Sequence, residues 1–154
     1  MQVRLAVEAD KPGINELRRQ VKLLHTAGEP SFFAPGFPQE LADYLNVMFM
    51  KENGEVVVAE RDGNIVGFAC INYVERPASV FRNALKYCEI EEIGVDERCR
   101  RQGVGRALMD YIRARAKEKG FSRIDLNMWE FNENALKFYE SMGFRTYRRY
   151  MELV

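Results

Sequence analysis

Apolar and polar residues alternate over Gln2 to Val7, which predicts a short first strand. Asp10 before Lys11-Pro12 is a helix-start signal. Ile14, Leu17, Val21 and Leu24, spaced three and four apart, carry that helix to about His25. Residues 26–38 lose all periodicity and hold prolines, glycines, Phe32, Phe33 and Phe37, which reads as a structured loop. Gln39 to Lys51 is helical again, with Leu41, Tyr44, Leu45 and Met48 on one face. Glu55–Glu60 and Ile65–Tyr73 are strands joined by Arg61-Asp62-Gly63-Asn64, a hairpin signal. Glu75 to Ala84 is a loop or short helical segment, and Tyr87 to Val95 is a strand interrupted by Gly94, a bulge or close-approach marker. Val104, Leu108, Tyr111, Ile112 and Ala116 then mark a helix that stops at Gly120. Arg123 to Met128 is a strand. Asn132 or Asn134 caps a helix bearing Ala135, Phe138, Tyr139 and Met142, and Gly143 ends it. Phe144 to Leu153 reads as a closing strand region in one or two pieces, giving about six to seven strands in all. Hairpins require antiparallel pairing and strand-helix-strand units parallel pairing. The expected fold is therefore α/β in class, a mixed sheet with helices on both faces.

Composition narrows this picture modestly. The 154 residues make one domain's worth, residues 1–154, and 47% hydrophobic content is enough for a core. With 23 basic and 23 acidic residues the net charge is zero, which argues against nucleic acid and membrane partners. The N-terminus does not read as a signal peptide. Cys70, Cys88 and Cys99 are odd in number and not in metal-ligand spacing, which fits reduced thiols in a cytoplasmic protein. His25 is the only histidine, so a multi-histidine metal site is excluded and no metal is expected.

The candidate chemistry begins at Val95-Asp-Glu-Arg-Cys-Arg-Arg-Gln-Gly-Val-Gly-Arg-Ala-Leu108, an arginine- and glycine-bearing turn between a strand and a helix. Such a turn aims backbone N–H groups at one spot on the positive end of a helix, a phosphate site. A Walker loop is absent, and a dinucleotide fingerprint fails because Leu108 stands where its third glycine belongs. What remains is Arg100-x-x-Gly103-x-Gly105. The glycines permit close backbone approach, and the amides from about Arg101 to Arg106 can form an anion-binding nest. Arg100, Arg101 or Arg106 can add charge, with solvated surface arginine as the alternative for each.

This turn resembles the acyl-CoA pyrophosphate loop of the GNAT N-acetyltransferases, Gln/Arg-x-x-Gly-x-Gly/Ala. Asn132-Glu-Asn-Ala135, Tyr139 and Gly143-Phe144 resemble the family's second motif. Glu91-Glu92-Ile93-Gly94-Val95 stands where its fourth strand lies. The resemblance covers most of the chain. It implies the GNAT fold, acetyl-CoA as donor and CoA as product. It also implies direct transfer to a primary amine of a small molecule or peptide. The implied cofactor residues are Ile93, Gly94, Val95, Arg100, Arg101, Gln102, Gly103, Val104, Gly105, Arg106, Asn132 and Ala135. The pantetheine arm would pair like an extra strand with the backbone of Ile93 and Val95, with a strand N–H near the thioester carbonyl.

Transfer to an amine needs a base for the ammonium proton and a donor for the leaving thiolate. Tyr139 matches the family's frequent general acid; core packing is its alternative. Strict alternation puts Glu89 and Glu91 on one face of the strand and Glu92 on the other, with Cys88 and Ile90. Glu91, then Glu89, are the base candidates, and a structural salt bridge is the alternative for each. Asn127 occupies a position where some peptide-directed relatives have glutamate. Cys99 lies beside arginines that can lower its pKa, although the family typically forms no acyl-enzyme. His25 either ends the first helix or shapes the acceptor site, and Trp129 and Phe131 read as core or groove wall.

Acceptor choice is assigned to residues 25–52, the Glu75–Ala84 loop and the last strand. Phe32, Phe33 and Phe37 suggest a lid with an apolar component, and Glu29 or the strand carboxylates can attract a cationic amine. The competing function is a catalytically silent acyl-CoA-binding module, which would need neither Tyr139 nor a base. Nucleic-acid binding through Arg98, Arg100, Arg101 and Arg106 is disfavoured by zero net charge. Monomer and homodimer both remain open, the latter through the C-terminal strand.

Overall fold

The computed structural model describes residues Met1–Val154. Its elements are β1 (Gln2–Leu5), α1 (Lys11–Gly28), α2 (Gln39–Met50), β2 (Gly54–Arg61), β3 (Asn64–Arg76), β4 (Leu85–Val95), α3 (Val104–Glu118), β5 (Ile124–Leu126) and α4 (Glu133–Ser141). Short 3₁₀ turns cover Glu8–Asp10 and Glu97–Cys99. All strands join one sheet in the order β1-β2-β3-β4-β5, antiparallel throughout except for parallel β4 and β5. The β2–β3 turn is as expected: Asp62 (φ 52°) and Gly63 (φ 76°) are both left-handed between paired Arg61 and Asn64.

Helices cover both faces, as the alternating burial of the strands requires. On one face Ile14 and Leu17 of α1 and Leu45 and Met48 of α2 pack on Val56, Val58, Phe68 and Cys70. On the other, Val104, Leu108, Met109, Ile112 and Ala116 of α3 pack on Val57, Ala59, Ala69, Ile71, Cys88 and Ile90. Phe138 and Tyr139 of α4 pack against this second cluster.

The structure corrects the expected sheet at three places. The sheet has five strands, not six or seven, because Phe144–Leu153 forms no strand. Tyr147, Tyr150, Met151, Leu153 and Val154 are exposed, so no buried face rewards a ladder there. The last strand is also shorter than Arg123–Met128, holding only three residues. Finally, the irregularity in β4 lies at Glu91, not at Gly94. Cys70 pairs with Glu92 and Ile71 with Ile90, leaving Glu91 as the extra residue of a bulge. Gly94 instead marks a close approach: a Cβ there would lie 2.7 Å from both Phe68 and Val21.

The bulge resets the alternation. Glu92 therefore does not share a face with Cys88 and Ile90; it joins Glu89 and Glu91 on the α1/α2 side, while Ile93 and Val95 turn toward α3. It also coincides with the end of strand pairing. β5 is laddered only to Cys88, Glu89 and Ile90, and no backbone hydrogen bond joins residues 91–95 to the chain beyond Leu126. The two parallel strands part there, leaving an open β4 edge from Glu91 to Val95.

The N-terminal corner is fastened by a partly buried ion pair. Arg4 donates to both Asp10 carboxylate oxygens (2.7 and 3.0 Å), and the Val7 amide donates to the same carboxylate at 2.8 Å. The Arg4 guanidinium holds the Asp10 carboxyl below the usual carboxylate range, overcoming the opposite push of burial. A depressed folded pKa stabilises the protein above the unfolded value of ~3.9 and ceases to do so as pH falls through the folded value. Asp10→Asn is therefore expected to cost about 1.5–3 kcal/mol at pH 7. The gap from wild type should close in strong acid, read by urea denaturation. A gap that does not narrow with acidification would contradict this assignment.

Candidate active site

The turn after β4 has the geometry of an anion cradle. Arg101 (φ 59°) and Gly103 (φ 83°) are both left-handed, and Gly103 caps the N-terminus of α3. The left-handed residues alternate with ordinary ones, so successive amides converge. The backbone amides from Arg101 to Arg106 donate to no protein oxygen; the first amide of α3 that does is Ala107, to Gly103. Orphan amides at a helix N-terminus are the donors a phosphate or pyrophosphate requires. Gly105 has the Phe138 ring behind it, 3.2 Å from where a Cβ would sit, so it joins α4 to the cradle as well as allowing backbone access.

Around the cradle, Arg98 is held by Asp96 at 2.7 Å, whereas Arg100, Arg101 and Arg106 are exposed. Val104 is buried beneath the turn and anchors it to the core. The Gln102 side chain is occupied: it donates to the Arg98 carbonyl and accepts from Arg61 at 2.7 Å. Asn132 caps α4, its Oδ1 accepting from the Ala135 amide at 3.2 Å. These residues fit a CoA-like ligand: a pyrophosphate on the amide nest and an extended arm along the open edge at Ile93, Gly94 and Val95.

Tyr139 lies on the α3 face of the sheet. Its ring packs between Phe138 and Phe144, centroids 5.3 and 5.6 Å away, and it shares a cluster with Ile93 and Val95. Its hydroxyl bonds to no protein group, and burial pushes the phenol up to about 12, so it is a protonated donor at neutral pH. Burial also pushes up the thiols of Cys70 and Cys88, the latter to about 12, so neither supplies a thiolate nucleophile.

Glu89, Glu91 and Glu92 occupy the opposite face of the sheet. Their environments differ. Glu91 accepts from Lys51 (2.7 Å), Asn72 (2.7 Å) and Tyr44 (3.0 Å). Burial raises its carboxyl, but these donors together hold it below the ordinary range. Glu92 is ion-paired with Arg18 at 2.8 Å. Glu89 is half-buried, lies opposite Asn72 and Asp125 in the sheet, and its carboxylate engages no donor of the protein. Asp125 beside it is bound by Arg123 at 2.7 Å and by the Tyr147 hydroxyl at 2.9 Å.

The phenylalanines of the α1–α2 loop separate into two settings. Phe32 and Phe33 pack on Trp129, centroids 4.8 and 5.2 Å away, and His25 stacks on Phe33 at 5.3 Å with its edge toward Phe131. This aromatic bridge runs from the end of α1 to the chain after β5, across the gap. Gly28 is required there, since a Cβ would lie 2.2 Å from the Phe131 ring. Burial lowers the His25 pKa, so the imidazole in the bridge is neutral at pH 7. Phe37 stands apart, with the Arg18 guanidinium 5.7 Å from its ring centroid.

Sequence reasoning overlooked Arg18, Lys51, Asn72 and Asp125. Two of them carried a signal. Arg18 is a charge on the apolar face of α1, four residues from Ile14 and three from Val21, and Asn72 is a polar residue inside an apolar strand.

Comparison with known proteins agrees with this geometry. Residues 21–144 match the family described as Acetyltransferase (GNAT) family. Among curated relatives, the 5-NmdU N-acetyltransferase of Pseudomonas phage PaMx11 is 34% identical over 108 residues, 66% of this chain and 69% of that protein. N-acetyltransferase family 8 member 2 of Rattus norvegicus is 25% identical over 115 residues, 75% of this chain and 49% of that protein, so the chain spans about half of it. Among solved structures, a tetramutant of the BH1408 protein of Bacillus halodurans superposes with a TM-score of 0.95 at 27% identity, covering 100% of this chain and 99% of that one. The nest, the parted strands and the matched residues together place this chain: it belongs to the acetyltransferase (GNAT) family.

Proposed function

We propose that this chain transfers an acetyl group from acetyl-CoA to a primary amine of a small molecule or peptide by direct attack. The observation that carries this reading is the run of orphan amides from Arg101 to Arg106 at the N-terminus of α3, together with the open β4 edge and the free Tyr139 hydroxyl. When bound, acetyl-CoA supplies an activated thioester whose carbonyl is open to a neutral amine.

The chain's own groups then divide the work. The amides of Arg101, Gln102, Gly103, Val104, Gly105 and Arg106 hold the pyrophosphate, with Arg100, Arg101 and Arg106 adding charge. The edge of Ile93, Gly94 and Val95 orients the acyl arm, and a strand N–H there stabilises the oxyanion. Asn132 and Ala135 fix the first turn of α4 and so the place of Tyr139. Tyr139 donates its proton to the departing thiolate.

On the opposite face a carboxylate accepts the ammonium proton, directly or through water. Glu91 is the poorer base, since Lys51, Asn72 and Tyr44 stabilise its charged form. Glu89, adjacent on the same face and free of donors, takes that role in this reading. Acid and base thus act from the two faces of the sheet, one on the leaving thiolate and the other on the attacking amine. Phe32, Phe33 and Trp129 wall the acceptor side.

The test is release of free thiol from acetyl-CoA across amines, polyamines, amino acids and peptides. Tyr139→Phe and Glu89→Gln are each expected to lower kcat roughly 10²-fold, and Glu91→Gln far less. Gly103→Val is expected to raise KM for acetyl-CoA, because its φ excludes a branched side chain. Tight CoA binding without turnover on any acceptor would instead identify an acyl-CoA-binding module.

A further inference from the structure

Arg18 is the most deeply buried cation of the chain, only 4% exposed, and the catalytic roles above leave it without a task. All three of its guanidinium nitrogens donate. Nε and Nη2 donate to the two Glu92 carboxylate oxygens at 2.8 and 3.2 Å. Nη1 donates to Asn15 Oδ1 at 2.9 Å and to the Leu41 carbonyl at 2.6 Å. The Phe37 ring lies over the same group. One side chain of α1 therefore joins the α1–α2 loop, the first turn of α2 and β4 at the residue after the bulge.

Stability alone is a weak explanation for such a group. Replacing a buried ion pair by apolar side chains of similar volume is often neutral or stabilising. What a planar guanidinium fork supplies is orientation, since both carboxylate oxygens and the carbonyl must lie in fixed directions. Glu92 is the residue so oriented, and its backbone links bulged Glu91 to Ile93, the start of the open edge. The neighbouring ion pair does not duplicate this link: Lys51 and Tyr44 reach Glu91 from the end and middle of α2, not from the loop.

We propose that Arg18 is a positioning residue that couples docking of the Phe37 loop to the geometry of the β4 bulge, so that the acyl-binding edge is aligned only when the acceptor-side loop is in place. This rests on the reading of β4 as the acyl-thioester strand. Loop and edge then move as one unit, and the loop acts on the rate as well as on acceptor binding.

Two readouts test it on the full chain. The first is kinetic. Arg18→Met keeps side-chain length and removes the fork. It is expected to lower the melting temperature, because Glu92 is left without its partner, to leave KM for acetyl-CoA nearly unchanged, and to lower kcat about 10- to 100-fold when measured well below that temperature. Arg18→Lys should recover part of that loss. Phe37→Ala added to Arg18→Met should cost little more, because both break one link. The second readout is independent of activity. Trp129 is the only tryptophan and packs on Phe32 and Phe33 of the same loop. Arg18→Met should red-shift its emission and increase acrylamide quenching. Glu92→Gln with Phe37→Ala supplies the same cycle if Arg18→Met fails to fold.

A kcat equal to wild type with unchanged Trp129 emission, or multiplicative losses from Arg18→Met and Phe37→Ala, would overturn the coupling. A wild-type protein that acetylates no amine, yet whose Trp129 responds to Arg18→Met, would leave the coupling standing and refute the transferase reading.

Discussion

One extra residue in β4 governs the rest of the site. From Cys88 to Ile90 the strand is an ordinary member of the sheet, paired on both sides and packed against α3. At Glu91 it bulges, bends away from β5 and leaves its backbone groups from Glu91 to Val95 without a partner on that side. An open parallel edge inside a sheet is costly unless something occupies it, because backbone groups are obligatory hydrogen-bonding groups. The same bulge moves Glu92 onto the face of Glu89 and Glu91. Carboxylates thus collect on one side of the gap, while Tyr139 waits on the other.

The elements around the bulge hold it in place and prepare its surroundings. α3 follows the strand after the Glu97–Cys99 turn and opens on a left-handed Gly103, which leaves its first amides free. Phe138 behind Gly105 fixes α4, and α4 fixes Tyr139. From the other face, Lys51, Tyr44 and Asn72 grip Glu91, and Arg18 grips Glu92. The ligand-facing backbone is therefore irregular but not loose. Polar contacts with directional geometry do here what apolar packing cannot, which is to fix the angle of a bent strand.

Much of this was legible in the sequence where the cause is local. Asp62-Gly63 specifies its turn through two left-handed residues, and the nest follows from Gly103 and Gly105 before an amphipathic helix. Helical spacing found the faces of α1 and α3. The failures come from non-local or period-breaking physics. A bulge is invisible to a period of two, so Glu92 was placed on the wrong face. Phe144–Leu153 reads in the sequence as a closing strand region, but no partner edge or buried face exists for it. Phe32, Phe33 and Phe37 looked like one aromatic group, yet Phe37 belongs with Arg18. The link between Arg18 and Glu92 spans 74 positions, a separation over which no pattern rule operates.

The account's central claim is that the nest and the open β4 edge form one continuous binding surface for an acyl-CoA. Amide hydrogen exchange with and without CoA tests it most directly, since bound donors become protected. The account predicts that CoA slows exchange together at the amides of Arg101–Arg106 and along the Glu91–Val95 edge, with little change in β1 and β2. Protection of the turn without the edge, or of neither, would contradict it.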